Sequence, residues 1–313
     1  MLKPEFPSAC ASCKIQESSN NSLRQAINRN NLTVKPGMLP CEWSIMFGNI
    51  CNLACWTCDE MFSSTIAAHK KRIGLVSADR AQSNDKFLAK WPELRKHIMN
   101  SYRQHDRITL VLLGGEPSYN PLVLEFLQHI HDEGLAPQTR IELTTNGTRS
   151  NKEFFDLITS PNWLSVSVFV SVDAIGEKAE WLRYGCKWSD VENNIKAYAR
   201  YVYHMELHTV VSVLNIMDLP NVYDFAKINN LHFTAFPLRQ PEHMSLANWD
   251  GANLIDDPSV YVQRGLQQYV DLIGSQPQLG SRERLSNYIN SFGDSRRSLN
   301  LVDAKLASII LGG

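Results

Sequence analysis

Three cysteines, Cys51, Cys55 and Cys58, lie within one short segment of the chain. Their C-x3-C-x2-C spacing could place three thiolates on three irons of a 4Fe-4S cluster and leave the fourth iron without a protein ligand. An electron-carrying cluster usually has four cysteines, and a structural zinc site also closes with four ligands. The spacing therefore indicates an iron that a cofactor or substrate could chelate. The alternatives are buried structural thiols or a zinc knuckle completed by a distant histidine, although the nine histidines show no metal-ligand spacing.

A second motif, Gly114, Gly115, Glu116 and Pro117, follows an apolar run at 108–113 that is predicted to be a buried strand. Glycine lets the backbone approach a ligand because no Cβ stands in the way. The other interpretation is a plain strand-to-helix turn, with Glu116 near the start of a helix. The position of this motif downstream of the cysteines favours a ligand-binding loop.

Polar residues also follow two further predicted strands. Asn146 follows the strand at 141–145, where asparagine is also an ordinary turn former. In the strand at 164–172, valines alternate with small polar residues up to Ser171, and Asp173 continues the polar face. Small side chains on that face leave room for a ligand, and a carboxylate can accept both hydroxyl protons of a vicinal diol. The alternative for Asp173 is a solvated strand end.

Strands and helices alternate about six times from Trp43 onward, which predicts a parallel sheet with helices outside it, either doubly wound or a barrel. In both architectures, ligands bind at the carboxyl ends of the strands, where the motifs fall. We predict an N-terminal extension at 1–40, an α/β domain at 41–240 and a C-terminal helical extension at 241–313.

Capping residues predict where several helices begin. Asn120, followed by proline, predicts an N-cap. Two further helices are predicted to begin with capping boxes at Ser150 and Ser189. A single helix is predicted over 260–273.

The composition narrows the class of protein. The chain has 313 residues, of which 43% are hydrophobic, so it can bury a sizeable core. Its 31 basic and 32 acidic residues give a net charge of -1, which provides no general attraction to nucleic acid or to anionic membranes. No apolar run reaches the roughly 20 residues of a membrane span, and no secretory signal is visible. We therefore expect a soluble, cytoplasmic protein that binds neither membranes nor nucleic acid.

The order of the two motifs resembles that of a known superfamily. A C-x3-C-x2-C motif after the first strand, followed by Gly-Gly-Glu-Pro after the second, is similar to the radical S-adenosylmethionine (radical SAM) superfamily over residues 41–240. The resemblance implies a partial barrel of six β/α units and S-adenosylmethionine chelated to the open iron of a 4Fe-4S cluster. One electron would then cleave the sulfonium to methionine and a 5'-deoxyadenosyl radical, which abstracts hydrogen from a substrate. A low-potential electron donor such as flavodoxin or ferredoxin is implied as a partner.

The resemblance also implies which residues contact the cofactor. In this superfamily the glycine motif binds the methionine amino group, the end of the fourth strand contacts the ribose, and an arginine can pair with the methionine carboxylate. Many members have an aromatic residue immediately before the third cysteine, where this chain has Thr57. The implied cofactor-binding residues are Thr57, Gly114, Gly115, Glu116, Pro117, Asn146, Ser171, Asp173, Arg183 and Ser212.

A second cysteine pair, Cys10 and Cys13, lies in the N-terminal extension. Its surroundings resemble the tail of a twitch domain, a small auxiliary iron-sulfur module, as found in uncharacterised phage and environmental radical SAM proteins. Such modules usually begin with further cysteines upstream, so a truncated module is expected, or a site completed by Cys41 or Cys186. The alternatives for Cys10 and Cys13 are a zinc remnant or no site at all, and buried structural thiols are the default for Cys41 and Cys186.

Modification of a peptide or protein is the first hypothesis for the reaction, because relatives with auxiliary clusters often act on peptides. The alternatives are a small-molecule rearrangement, such as ring contraction in 7-deazapurine biosynthesis, and activation of a glycyl-radical enzyme. A non-catalytic iron-sulfur or zinc protein is the alternative from a different class, but it would leave the glycine motif, Ser171 and Asp173 without a role. No catalytic acid, base or radical-quenching residue is assigned.

Overall fold

The chain divides into two compact units, Met1–Pro40 and Cys41–Gly313. Helices after residue 241 belong to the same compact unit as the sheet. The predicted N-terminal extension, with Cys10 and Cys13, lies outside the described residues except for its last four positions. The computed structural model describes residues 37–75, 83–148, 151–251, 253–292 and 298–312.

The strands of the described residues form one large parallel sheet and one small antiparallel pair. These strands are β1 (Glu42–Met46), β2 (Ala54–Cys55), β3 (Ile108–Leu113), β4 (Thr139–Thr145), β5 (Ser165–Ser171), β6 (Arg183–Tyr184), β7 (His204–Val211) and β8 (His232–Pro237). The parallel sheet has the order β1-β3-β4-β5-β7-β8, and β2 pairs with β6. The predicted α/β fold, a partial (β/α)6 barrel, is confirmed.

Helices connect the strands and continue to the end of the described chain. They are α1 (Ser64–Arg72), α2 (Ser83–Ser101), α3 (Pro121–Asp132), α4 (Lys152–Ile158), α5 (Gly176–Leu182), α6 (Trp188–Tyr198), α7 (Leu219–Ile228), α8 (Ser259–Val262), α9 (Gln267–Asp271), α10 (Ser281–Ser291), α11 (Leu299–Val302) and α12 (Ala304–Leu311). The prediction of a single helix over 260–273 is wrong, because Gly265, with a φ of 70°, separates α8 from α9. None of the described helices is long and apolar enough to cross a bilayer.

The predicted helix starts have mixed outcomes. Asn120 is the N-cap of α3, where its side chain accepts a hydrogen bond from the backbone N–H of Leu122. Ser150 lies outside the described residues, and the side chain of Asn151 caps α4 instead. The capping box at Ser189 is wrong, because α6 already begins at Trp188 and the Glu180 carboxylate accepts the Trp188 N–H.

Side chains of the parallel strands alternate between two faces, as the sequence of β5 predicts. Val166, Val168 and Val170 are buried in the main hydrophobic core between sheet and helices. The opposite face of β5, which ends in Ser171, is only half-buried. We call this opposite face of the sheet the inner face.

The C-terminal helices pack against the loop that carries the cysteines. Trp56, between the second and third cysteines, is buried, and its ring centroid lies 4.9 Å from that of Phe292 and 5.2 Å from that of Trp181. Tyr288 of α10 completes this aromatic cluster at 5.8 Å from Trp56. The region after the last strand therefore supports the cysteine loop directly.

A buried ionic group also joins the C-terminal helices to α5. The Lys178 ammonium pairs with Asp303, at the start of α12, and lies 3.7 Å from the Asp218 carboxylate. Burial raises the pKa of Asp218 from 3.8 to about 6, and the charge of Lys178 offsets only part of that increase. Because the folded state holds this proton more tightly than the unfolded chain, Asp218 contributes stability at low pH that is lost as the pH rises.

Replacing Asp218 by asparagine is therefore expected to change how stability depends on pH. The free energy of unfolding of the wild type, minus that of Asp218→Asn, is expected to fall by up to about 3 kcal/mol between pH 4 and pH 7. Urea unfolding at a series of pH values measures this difference. A difference that stays constant over the window would show that Asp218 has an ordinary pKa.

Candidate active site

The cysteine loop between β1 and α1 is held by hydrogen bonds to the first turn of α1. The backbone carbonyl of Cys51 accepts from the Thr65 hydroxyl at 2.6 Å, and the Ser63 hydroxyl donates to the Leu53 carbonyl at 2.6 Å. The Leu53 N–H in turn points at the Cys51 sulfur, 3.4 Å away. The side chains at the start of α1 thus fix the backbone of the cysteine loop.

The three cysteines line one cavity of about 150 Å³ at the carboxyl ends of the parallel strands. Predicted site residues from four other parts of the chain line the same cavity, so the fold brings the separate motifs together. The lining consists of Cys51, Leu53, Cys55, Cys58, Phe62, Gly114, Gly115, Thr144, Thr145, Asn146, Ser171 and Arg183.

The electrostatics of the thiols show how close they are to one another. Burial raises the pKa of Cys58, and the neighbouring Cys55 and Cys51 raise it further. Burial also raises the pKa of Cys51. Deprotonation of these thiols therefore requires a positive group beside them, and a metal ion would be one.

The arrangement of ligands suits a cluster better than a single ion. In the described part of the chain, no group of three or more His, Cys, Asp or Glu side chains converges on a single-ion site. Three thiols around one cavity are the soft donors that iron-sulfur clusters use.

The glycine motif presses directly against the cysteine loop. Gly115 has a φ of 58°, and a Cβ on it would lie 2.2 Å from the carbonyl oxygen of Ile50. The next residue, Glu116, donates its N–H to that same carbonyl at 2.7 Å. Gly114 is similarly close to Met46, which a Cβ would meet at 2.2 Å. These approaches require glycine, so both motifs share one wall of the cavity.

Glu116 lies behind that wall, and the structure places it outside the cavity lining. Its carboxylate accepts the Thr145 hydroxyl at 2.7 Å and the Asn146 N–H at 2.6 Å. It also accepts the hydroxyl and N–H of Ser118, in the short 3-10 turn that begins at Pro117. The buried Glu116 therefore fixes the end of β4, while Pro117 shapes the turn beside it.

We expect Glu116→Gln to destabilise the protein because an amide NH₂ must then face one of these donors. The expected loss is about 3 kcal/mol, since the bonds are made to a buried charged group. Urea unfolding measures it, with Glu125→Gln as the matched control, because Glu125 is exposed and, among the described residues, pairs only with Arg95. Equal stability of the two variants would contradict the role given to Glu116.

Asn146 and Arg183, two of the predicted cofactor-binding residues, line the cavity, and each is held by a polar neighbour. Asn146 donates to the Asn52 side chain at 2.9 Å, and its amide lies 3.9 Å from the Cys51 sulfur. Arg183 donates to the Asp173 carboxylate at 2.7 Å. Its Nε is buried and has no hydrogen-bond partner among the described residues. Arg183 therefore keeps one donor free beside the cavity.

Asp173, Ser212 and Thr57 do not line the cavity. Asp173 is 3% exposed, and its second oxygen accepts the Val210 N–H at 3.0 Å. The Ser212 hydroxyl donates to Asn215, whose amide in turn donates to the backbone carbonyl of Asp173. Asp173 and Ser212 thus hold the ends of β5 and β7, and direct contact of these two residues or of Thr57 with a ligand stays a prediction.

Four lining residues were not among the predicted site residues. Thr144 and Thr145 are placed by the end of β4, which a strand-end argument could have found. Leu53 and Phe62 are apolar, and nothing in their spacing distinguishes them from ordinary core residues.

The sheet and cavity together define a partial β/α barrel with a cysteine-lined site at the carboxyl ends of its strands. A family model described as the radical SAM superfamily matches residues 45–226. That match spans more than half of the chain, and the protein belongs to the radical SAM superfamily.

Solved structures with similar folds are only distantly related in sequence. One, described as native anSMEcpe with bound AdoMet, is 17% identical, with a TM-score of 0.50 over 73% of this chain and 59% of that one. SuiB from Streptococcus suis, bound to S-adenosylmethionine, is 14% identical, with a TM-score of 0.44 over 86% of this chain and 54% of its own. The radical S-adenosylmethionine methyltransferase TsrM from Kitasatospora setae, with cobalamin and a [4Fe-4S] cluster bound, is 12% identical, with a TM-score of 0.41 over 63% and 34%. This chain thus spans less than two thirds of each of these proteins. No curated protein matches the sequence.

Proposed function

We propose that this protein is a radical SAM enzyme that holds a 4Fe-4S cluster through Cys51, Cys55 and Cys58 and binds S-adenosylmethionine beside it. The observation that carries the proposal is the shared cavity. The three thiols and the backbone of Gly114 and Gly115 line one space, although the two motifs are more than 50 residues apart. Membership of the radical SAM superfamily supports the same reading.

When bound, the cluster and S-adenosylmethionine together supply a 5'-deoxyadenosyl radical that takes a hydrogen atom from the substrate. The residues of the chain bind and orient the cofactor. The backbone at Gly114 and Gly115 would receive the methionine amino group. The unpaired Nε–H of Arg183 would pair with the methionine carboxylate, and the Ser171 hydroxyl would bind the ribose. Asn146 would close the side next to Cys51.

The remaining predicted cofactor residues would act from behind the cavity wall. Asp173 would position Arg183 through their ion pair, which leaves the arginine oriented without filling the cavity. In the same way, the other members of this set would hold strand ends or turns next to the cofactor. They are Thr57, Glu116, Pro117 and Ser212.

The substrate is proposed to be a peptide or protein, with electrons from a flavodoxin or ferredoxin in the cytoplasm. The twitch-like segment around Cys10 and Cys13 supports this class of reaction, and we propose that it holds an auxiliary cluster. The half-buried inner face of the sheet offers a surface on which an extended substrate could lie.

The test is anaerobic reconstitution with iron and sulfide, followed by reductant and S-adenosylmethionine. Chromatography is expected to detect 5'-deoxyadenosine, and none is expected from the protein without its cluster. A fully loaded protein that yields no 5'-deoxyadenosine would overturn the proposed function. Iron counts of about four or about eight per chain separate one cluster from two. Candidate peptides and small-molecule substrates added to the same preparation separate the substrate classes by the product formed.

A further inference from the structure

A group of titratable and aromatic side chains covers the inner face of the last strands. It is separate from the residues that line the cysteine cavity, and none of the predicted site residues belongs to it. We call it the β7 cluster, and it consists of Phe169, His204, Glu206, His208, His232, Thr234 and Phe236.

The β7 cluster continues the wall of the cavity across the sheet. Phe169 pairs in register with Thr144, and His208 pairs in register with Ser171. Both partners line the cysteine cavity. Adjacent strands lie about 4.8 Å apart, so the cluster begins one strand away from the cavity and faces the same side. A substrate that lies along the inner face from β8 to β5 would contact both these side chains and the cavity lining.

The centre of the cluster is a carboxylate. Glu206 accepts the Thr234 hydroxyl, and the Nε2 atoms of His204 and His208 lie 3.0 and 3.6 Å from its oxygens. Burial alone would raise the pKa of Glu206, but the hydrogen bonds from Thr234 and His204 lower it. Burial lowers the pKa of His208, and the charge of Glu206 offsets part of that decrease. Within the described chain, Glu206 has no lysine or arginine partner closer than 4 Å, so its charge lacks a permanent counter-ion.

Two aromatic rings contact His208, the histidine beside this carboxylate. Phe169 stacks on His208 with ring centroids 4.7 Å apart, and Phe236 meets the other side of that histidine at 5.2 Å. The Phe236 side chain is 46% exposed, so the group can be reached from solvent. Aromatic faces attract cations, and a carboxylate beside them adds the opposite charge.

We propose that the β7 cluster is a subsite for a cationic group of the substrate, an ammonium or guanidinium, with Glu206 as its counter-ion and Phe236 as its aromatic wall. The assignment to the substrate rests on the proposed function. It narrows the peptide class to substrates that carry a lysine or arginine side chain near the reacting position. The cluster holds the cation, and the adjoining cavity holds the part that reacts.

Binding is tested on the reconstituted protein by following the imidazole signals of the histidines by nuclear magnetic resonance. The probes are n-butylammonium, n-butylguanidinium and neutral n-butanol. Both cations are expected to shift the His204 and His208 signals, whereas butanol is not. Glu206→Gln is expected to weaken cation binding about tenfold, and the surface variant Glu133→Gln is expected to leave it unchanged. Phe236→Leu, at an exposed position that tolerates the change, is expected to weaken it about threefold.

Two peptide probes distinguish a peptide side chain from a small amine as the source of the cation. An acetylated and amidated Gly-Gly-Lys-Gly-Gly peptide is expected to bind more tightly than butylammonium, and its norleucine counterpart more weakly. Equal binding of the lysine peptide and butylammonium would overturn the peptide assignment in favour of a small amine. Equal binding of butanol and the cations, or no effect of either Glu206→Gln or Phe236→Leu, would overturn the subsite. Cation binding by a loaded protein that forms no 5'-deoxyadenosine would overturn the proposed function while supporting the cation site itself.

Discussion

Serine in place of Cys51, Cys55 or Cys58 is expected to abolish both the iron-sulfur chromophore and the formation of 5'-deoxyadenosine. Each thiol lines the same cavity, and an iron-sulfur cluster held by three ligands has no spare one. Loss of a single thiolate is expected to lower activity by at least about 100-fold, since even the loss of an outer partner can lower metal affinity that much. Visible absorption, iron content and nucleoside formation measure the effect on each variant.

Cys41→Ser provides the matched control, because Cys41 is exposed and does not line the cavity. It is expected to retain S-adenosylmethionine cleavage at the wild-type level. A Cys55→Ser variant that kept full cleavage would contradict the assignment of the three ligands.

Alanine at position 115 is expected to produce the second largest loss, with the cysteines intact. The added Cβ would lie 2.2 Å from the Ile50 carbonyl oxygen, so one of the two motif loops must move. A shift of this size at a ligand site can cost about 100-fold in rate. We expect Gly115→Ala to retain its iron, to bind S-adenosylmethionine weakly and to form about 100-fold less 5'-deoxyadenosine. Calorimetry and chromatography measure these two quantities.

Gly134→Ala separates the close contact from backbone strain. Gly134 has a similar φ of 72°, but a Cβ on it would meet nothing within 4 Å. Both variants carry the strain of alanine at positive φ, which is roughly 1 kcal/mol. If Gly115→Ala cleaved S-adenosylmethionine as fast as Gly134→Ala, the close approach of the two loops would not be needed for cleavage.

The sequence predicted the parallel sheet and the wall of the cavity because period-two valines and glycine-rich strand ends follow directly from backbone geometry. It was less informative about polar residues at the same strand ends. Asp173 and Glu116 both have the chemistry of a ligand-binding carboxylate, yet the fold satisfies them with Arg183 and with the Thr145 hydroxyl and Asn146 N–H. The sequence shows that a carboxylate stands at the end of a given strand. It does not show which hydrogen-bond or ion-pair partner that carboxylate has, because the partner comes from a distant part of the chain.

The β7 cluster is a second case in which the sequence alone did not identify a group of residues that the fold brings together. His204, Glu206 and His208 alternate on one strand, and without a metal-ligand spacing they resembled ordinary polar strand residues. They form a candidate site only together with Phe169 and Phe236, which lie on the neighbouring strands. Only the register of the sheet places them beside the cysteine cavity.

The small strand pair at the cysteine loop has a consequence for the order of biosynthesis. Cys55 pairs with Arg183, so the second cysteine reaches its native backbone position only when a segment 128 residues later has joined it. The ribosome must release more than half of the chain before the loop is complete. Insertion of the proposed cluster would therefore follow synthesis of the first four parallel strands, and a nascent chain stalled before residue 183 would leave its three thiols open to oxidation.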